Sequence, residues 1–129
     1  MLNDTLSNLM SKIFNSEKAG KTTCLISPVS KQMEKVLEIM KDNSFIGDYK
    51  IVKDARAGYV EINLINAINN CKVIKPRFAF KKSTLEKYEK RFLPAKGFGI
   101  VIVSTPKGMM TNLQSREKGL GGRLIAFVY

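Results

Sequence analysis

Between residues 104 and 122 the chain gathers groups that grip an anion and lack the means to run a reaction. Ser104 and Thr105 end an apolar run, Ile100-Val101-Ile102-Val103. Pro106-Lys107-Gly108 follows as a turn, and Gly121-Gly122 presents bare backbone further on. Hydroxyls and lysines are the usual partners of phosphate and ribose oxygens. RNA adds 2′-hydroxyls, which donate and accept toward serine and threonine. Two other polar stretches share this character: Asn3-Asp4-Thr5, and Ser27 to Lys31, which contains Ser30. Each opens an expected helix, whose first N–H groups suit an anion. Arg56 adds a cation in the turn Asp54-Ala55-Arg56-Ala57-Gly58. Several of these positions have a purely structural alternative. Ser27 and Ser30 also read as helix caps, and Gly121 and Gly122 as the end of a helix followed by a tight turn.

Catalysis finds no support. The chain has no histidine, so every histidine-based mechanism is excluded. Its few carboxylates are scattered, without a pair placed for acid–base work. Gly97-Phe98-Gly99 precedes its strand, whereas a dinucleotide fingerprint must follow one, and no Walker-type phosphate loop occurs. Cys24 and Cys71 are isolated in strand-like contexts and read as reduced, buried residues. The expectation is therefore binding without a cofactor or metal.

Charge says what would be bound. Lys and Arg number 22 against 11 Asp and Glu, a net of +11. Residues 1–65 carry 9 basic and 8 acidic side chains, and residues 66–129 carry 13 and 3. The excess lies almost wholly in the half that holds Ser104 to Gly108. Such a balance draws a polyanion, with a membrane surface as the other common basic partner. No stretch approaches the roughly 18 apolar residues of a membrane span. The N-terminus lacks the apolar core of a secretory signal, which predicts a soluble, intracellular protein.

The elements that must position these groups can be read from periodicity. Leu6, Leu9, Met10, Ile13 and Phe14 recur at helical spacing, with Asn3 or Asp4 as cap. Thr22 to Ile26 reads as a strand. Ser27 caps a second helix with Pro28 at its first position and Met33, Val36, Leu37 and Met40 on its buried face. Residues 45–52 and 59–65 form a hairpin, the second strand alternating strictly. A boundary falls between residues 66 and 76. Beyond it, 77–80 is a strand, and Ser83-Thr84-Leu85-Glu86 has capping-box spacing for a helix over 84–91. Ile100 to Val103 is buried, Thr111 opens a short helix closed by Gly119, and Arg123 to Tyr129 is a strand apolar on both faces. The fold class is α/β (α+β): an N-terminal α-β-α-β-β subdomain over residues 1–70, then a mostly β subdomain over 71–129 with a short helix.

Over essentially its whole length the chain resembles the family of small-subunit ribosomal protein eight, in its archaeal and eukaryotic cytosolic form. The resemblance rests on NDTLSNLMSKI, SPVSK, IGDYKIVKDARAG, IKPRFAF, EKRFLPAKGFGIVIVSTPKGMMT and GLGGRLIAFVY. It implies a structural constituent of the cytoplasmic small ribosomal subunit. Such a protein is a monomer that binds a helix in the central domain of the rRNA, helps platform and body to assemble, and meets neighbouring ribosomal proteins. The family's RNA contacts map onto Ser104, Thr105 and Lys107, and onto Asn3, Asp4, Thr5, Ser27, Ser30, Lys31, Gly121 and Gly122, while Gly108 is a candidate from its place in the loop alone. The chain departs from the pattern at two places. Pro106 stands where many relatives carry a third hydroxyl residue, which removes a hydroxyl and an N–H. Phe14-Asn15 stands where an Arg-Asn pair is frequent. Two other functions stay open: repression of translation through an mRNA mimic of the rRNA site, which bacterial relatives suggest, and a protein–protein scaffold whose basic surface is incidental.

Overall fold

Helix α1 (Thr5–Lys18) turns Leu6, Leu9, Met10 and Ile13 to one side, and all four are buried. A computed structural model describes residues 5–27, 29–52, 58–95 and 97–129. The expected cap at Asn3 or Asp4 and the turn at residues 54–57 lie outside them. Strand β1 (Thr23–Ile26), helix α2 (Lys31–Asp42), β2 (Tyr49–Val52) and β3 (Tyr59–Asn63) follow in the expected order. The three strands pair antiparallel in the order β1-β3-β2. Cys24, Ile26, Val60 and Ile62 alternate inward, whereas Leu25, Tyr59 and Glu61 face out. That is the period-two burial of a sheet covered on one face. Met33, Val36, Leu37 and Met40 give α2 its buried stripe.

One boundary differs from the sequence reading. Helix α2 starts three residues later than a Ser27 cap implies. Ser30 is its N-cap, extended at φ −121°, and its hydroxyl accepts from the Met33 N–H. Ser27 instead donates its hydroxyl to the Gly58 carbonyl at 2.8 Å, tying the end of β1 to the start of β3. Either serine satisfies the local cap rule, and the tertiary partner of Ser27 decides between them.

The second sheet contains β4 (Cys71–Val73), β5 (Ala79–Phe80), β6 (Ile100–Thr105), β7 (Gly108–Thr111) and β8 (Gly122–Val128). Its order is β4-β8-β6-β7, with β5 also on β8. The central strands are buried along nearly their whole length, Ile100 to Val103 and Leu124 to Val128. Strand β7 is absent from the sequence expectation. Four residues, Gly-Met-Met-Thr, carry little strand signal, and pairing with β6 overrides it. Two short helices complete this part, α3 (Leu85–Phe92) and α4 (Asn112–Lys118). The capping box expected at α3 does not form. Thr84 makes no side-chain cap and closes a turn on Lys81. At α4 the box is complete: Thr111 accepts from the Gln114 N–H, and the Gln114 side chain accepts from the Thr111 N–H. Gly119 closes the helix at φ +66°, the left-handed conformation that glycine adopts without strain.

The chain divides into two compact units, Met1–Cys71 and Lys72–Tyr129. In the second, Ile74, Phe80, Leu85, Val101, Val103, Leu124 and Phe127 are among the members of one apolar core. Cys24 and Cys71 are buried and free. Burial pushes the Cys71 thiol up to about 12, with the nearby Glu17 carboxylate adding to the rise.

Candidate nucleic-acid interface

The hairpin of β6 and β7 brings the hydroxyl loop to a tip. Thr105 pairs with Gly108 and Ser104 with Met109, so Pro106 and Lys107 alone make the connection. Both are exposed. Gly108 sits at φ +112°, a conformation that L side chains rarely adopt. Proline presets its own φ and so stiffens the turn. The strand leading to the tip is buried on both faces, which gives the loop a rigid base.

The two hydroxyls at the tip have different surroundings. Thr105 is 9% exposed, and its hydroxyl is engaged inside the turn. It donates to the Gly108 carbonyl at 2.8 Å and accepts from the Lys107 N–H at 3.2 Å. Ser104 is half-buried and faces another way on the alternating strand. Its neighbour across β8 is Arg123, exposed, whose guanidinium donates to the Arg77 carbonyl at 3.3 Å. Sequence reasoning missed Arg123 and Arg77 as candidates. The available signal was an arginine directly after the glycine pair, and another in Arg-Phe-Ala-Phe.

The glycine pair belongs to the same place. A Cβ on Gly122 would stand 1.9 Å from the Ser104 carbonyl oxygen and 3.2 Å from the Thr105 Cα. A Cβ on Gly121 would stand 2.8 Å from the Phe80 carbonyl oxygen. Neither glycine closes a helix, since Gly119 does that. Their small size lets β8 pass close to β5 and β6. Ser104, Thr105, Lys107, Gly108, Gly122 and Arg123 are thus held together by strand register and close backbone contact.

In the first unit, Ser30 and the exposed Lys31 stand together at the start of α2, and Thr5 begins α1. Ser27 lies at the end of β1, held by Gly58. Asn3, Asp4 and Arg56 fall outside the described residues. Charge separates the units sharply. Residues 1–71 carry 9 basic and 8 acidic side chains, and residues 72–129 carry 13 and 3. The three acids, Glu86, Glu89 and Glu117, belong to α3 and α4. None lies on the hairpin or on β8. Among the described residues no group of His, Cys, Asp and Glu could hold a metal, and no helix is long and apolar enough to cross a membrane.

A comparison with protein families gives a match along nearly the whole chain. The family model described as Ribosomal protein S8 covers residues 4–129.

Proposed function

The chain belongs to the ribosomal protein S8 family, and from that membership we propose that it binds a helical segment in the central domain of small-subunit rRNA. Membership makes it a ribosomal protein of the small subunit that binds rRNA beside other ribosomal proteins, and not an enzyme. The β6–β7 tip and the start of β8 form the principal contact. Lys107 meets a phosphate, and Ser104 with Arg123 meets ribose and phosphate oxygens. Thr105 positions Lys107 by holding the turn closed. Gly121 and Gly122 serve the interface by letting β8 carry Arg123 up beside Ser104. Lys31 and Ser30 add a second, weaker contact from the first unit, together with Asn3, Asp4, Thr5, Ser27 and Arg56. Binding at this site helps platform and body to assemble in the cytoplasmic small subunit, each copy acting as a monomer.

The observation that carries this reading is the preformed hairpin tip on the unit with 13 basic and 3 acidic residues. Preorganised groups lose little freedom on binding, so modest individual contacts add to a specific site. Phosphate neutralisation makes affinity fall as salt rises. The test is binding of the chain to central-domain rRNA and to an unrelated RNA duplex across a salt series. The expected result is a salt-dependent affinity with a preference for the rRNA fragment. Equal affinity for both RNAs would overturn the central-domain assignment.

A further inference from the structure

Helix α3 keeps its charges on two separate faces. Glu86, Glu89 and Lys90 line a groove shared with α4. Both carboxylates are paired there, Glu86 with Lys90 at 3.5 Å and Glu89 with Arg116. Lys87 and Arg91, one turn apart, stand on the other side of the helix, because a step of about 100° per residue turns them well away from the groove. Both are exposed, and no described carboxylate pairs with either.

Arg91 is held in place by aromatic rings. Its guanidinium lies over Phe78 at 5.2 Å and over Phe92 at 5.6 Å from the ring centroids. Phe78 stacks on Tyr88 at 5.6 Å, and the Lys87 ammonium lies over Tyr88 at 5.7 Å. The rings are themselves anchored: Phe78, Tyr88 and Phe92 pack against the apolar core of the unit, and Phe92 stacks on Phe127. A guanidinium braced in this way presents a planar fork of donors that matches a phosphate, and it gives up little freedom on binding. An arginine that only shields ring faces from water would pack alike, with its charge incidental.

The surroundings point beyond shielding. This face continues the site at the hairpin. The Phe78 carbonyl accepts from the Leu124 N–H at 3.0 Å, and the Arg77 carbonyl accepts from the Arg123 guanidinium. Arg77 is exposed, and Ala79, two residues on, is the register partner of Arg123. Exposed cations thus lead from Lys107 through Arg123 and Arg77 to Arg91 and Lys87, while the carboxylates of α3 are turned into the groove. A polyanion gripped at the hairpin tip meets more positive charge along this line.

We propose that the outer face of α3 is a further RNA contact, in which Arg91 grips one phosphate with its fork and Lys87 meets the adjoining phosphate of the same strand. Side chains four residues apart on a helix stand about 5–6 Å from each other at Cβ, comparable with the step between neighbouring phosphates. The proposal rests on the reading of the chain as an rRNA-binding protein, and it adds a surface that the hairpin tip does not include.

The test measures binding of the full chain to full-length small-subunit rRNA across a salt series. Arg91→Gln should lower affinity about tenfold and reduce the salt slope by about one. Lys87→Gln should reduce the slope by the same step. Arg91→Lys keeps the charge and loses the fork, so it should keep the slope and still weaken binding about threefold. Lys118→Gln removes an exposed cation from the last turn of α4 and should leave the slope as it is. Arg91→Gln combined with Lys107→Ala should lower the slope by about two, since each phosphate contact counts separately. The urea midpoint shows that each variant is folded and reports the ring packing lost with Arg91. A slope unchanged by both Arg91→Gln and Lys87→Gln overturns the proposal, whatever the midpoint does, and leaves the face as a cover for the rings or a contact for an acidic protein. A slope that Lys118→Gln lowers as much as Arg91→Gln also overturns it, because charge would then act by its amount and not by its place. Absence of salt-dependent binding to small-subunit rRNA by the unsubstituted chain would instead overturn the functional reading beneath it.

Discussion

Thr105→Val isolates one hydroxyl with almost no change of shape. Both side chains are β-branched, so strand preference is kept. The substitution removes a donor to the Gly108 carbonyl at 2.8 Å and an acceptor for the Lys107 N–H at 3.2 Å. Each such bond contributes about 0.5–1.5 kcal/mol net, so the expected loss of stability is roughly 1–3 kcal/mol. The lower part of that range applies to the extent that water reaches the tip and replaces the lost partners. Urea unfolding measures the loss, and amide hydrogen exchange locates it. The Lys107 N–H should exchange faster, while the β6–β8 ladder opens only with the weakened whole. Binding to rRNA should weaken moderately, by about three- to tenfold, because Lys107 is no longer held in one place. Thr105→Ser keeps both hydrogen bonds and removes a methyl group, so it should preserve Lys107 exchange and most of the rRNA affinity. The reasoning fails if Thr105→Val leaves stability and Lys107 exchange unchanged while abolishing rRNA binding. That pattern would make the hydroxyl a direct RNA contact rather than a brace for the turn.

Four other outcomes follow from the same geometry. Gly122→Ala puts a methyl carbon 1.9 Å from the Ser104 carbonyl oxygen, a backbone atom, and should destabilise the chain by about 3 kcal/mol or more in denaturant unfolding. Lys107→Ala should weaken rRNA binding and reduce the salt slope by about one, whereas Lys35→Ala on α2, near Glu38, should do neither in the same titration. Burial raises the Cys71 thiol from 9.0 to about 12, so its contribution to stability is complete below pH 9 and is lost as pH rises from 9 through about 12. The loss approaches about 4 kcal/mol for a shift of this size, should be absent in Cys71→Ala, and is measured by unfolding across an alkaline pH series. Glu17 on α1 is 8% exposed with neither carboxylate oxygen hydrogen-bonded, so Glu17→Met should leave stability unchanged or raise it by about 1–3 kcal/mol in the same unfolding assay.

The sequence by itself determined the elements whose burial pattern is periodic and whose end signals are local. Helices α1 and α2, the alternating strand β3, and helix α4 with its Thr111 cap and Gly119 stop are all readable along the chain. It also determined the charge split, because composition needs no coordinates, and it excluded histidine chemistry for the same reason. Local rules failed where two local answers compete or where a partner distant in sequence decides. Ser27 and Ser30 are both good caps, and Gly58, thirty-one residues from Ser27, takes the first hydroxyl. Strand β7 exists because β6 offers it a ladder, not because Gly-Met-Met-Thr favours extension.

The candidate site divides along the same line. Residue types and their order at 104–108 are enough to point to a phosphate grip. Only tertiary packing distinguishes the roles within it: Thr105 turned into the hairpin, Ser104 left beside Arg123, and Gly121-Gly122 spent on the approach of protein strands. The physical reason is range. Propensity, periodicity and capping are decided within about one turn of helix or one hairpin. Which hydroxyl is left for a ligand depends on strands that meet in space, and strand register is fixed by burial and cross-strand packing over the whole sheet.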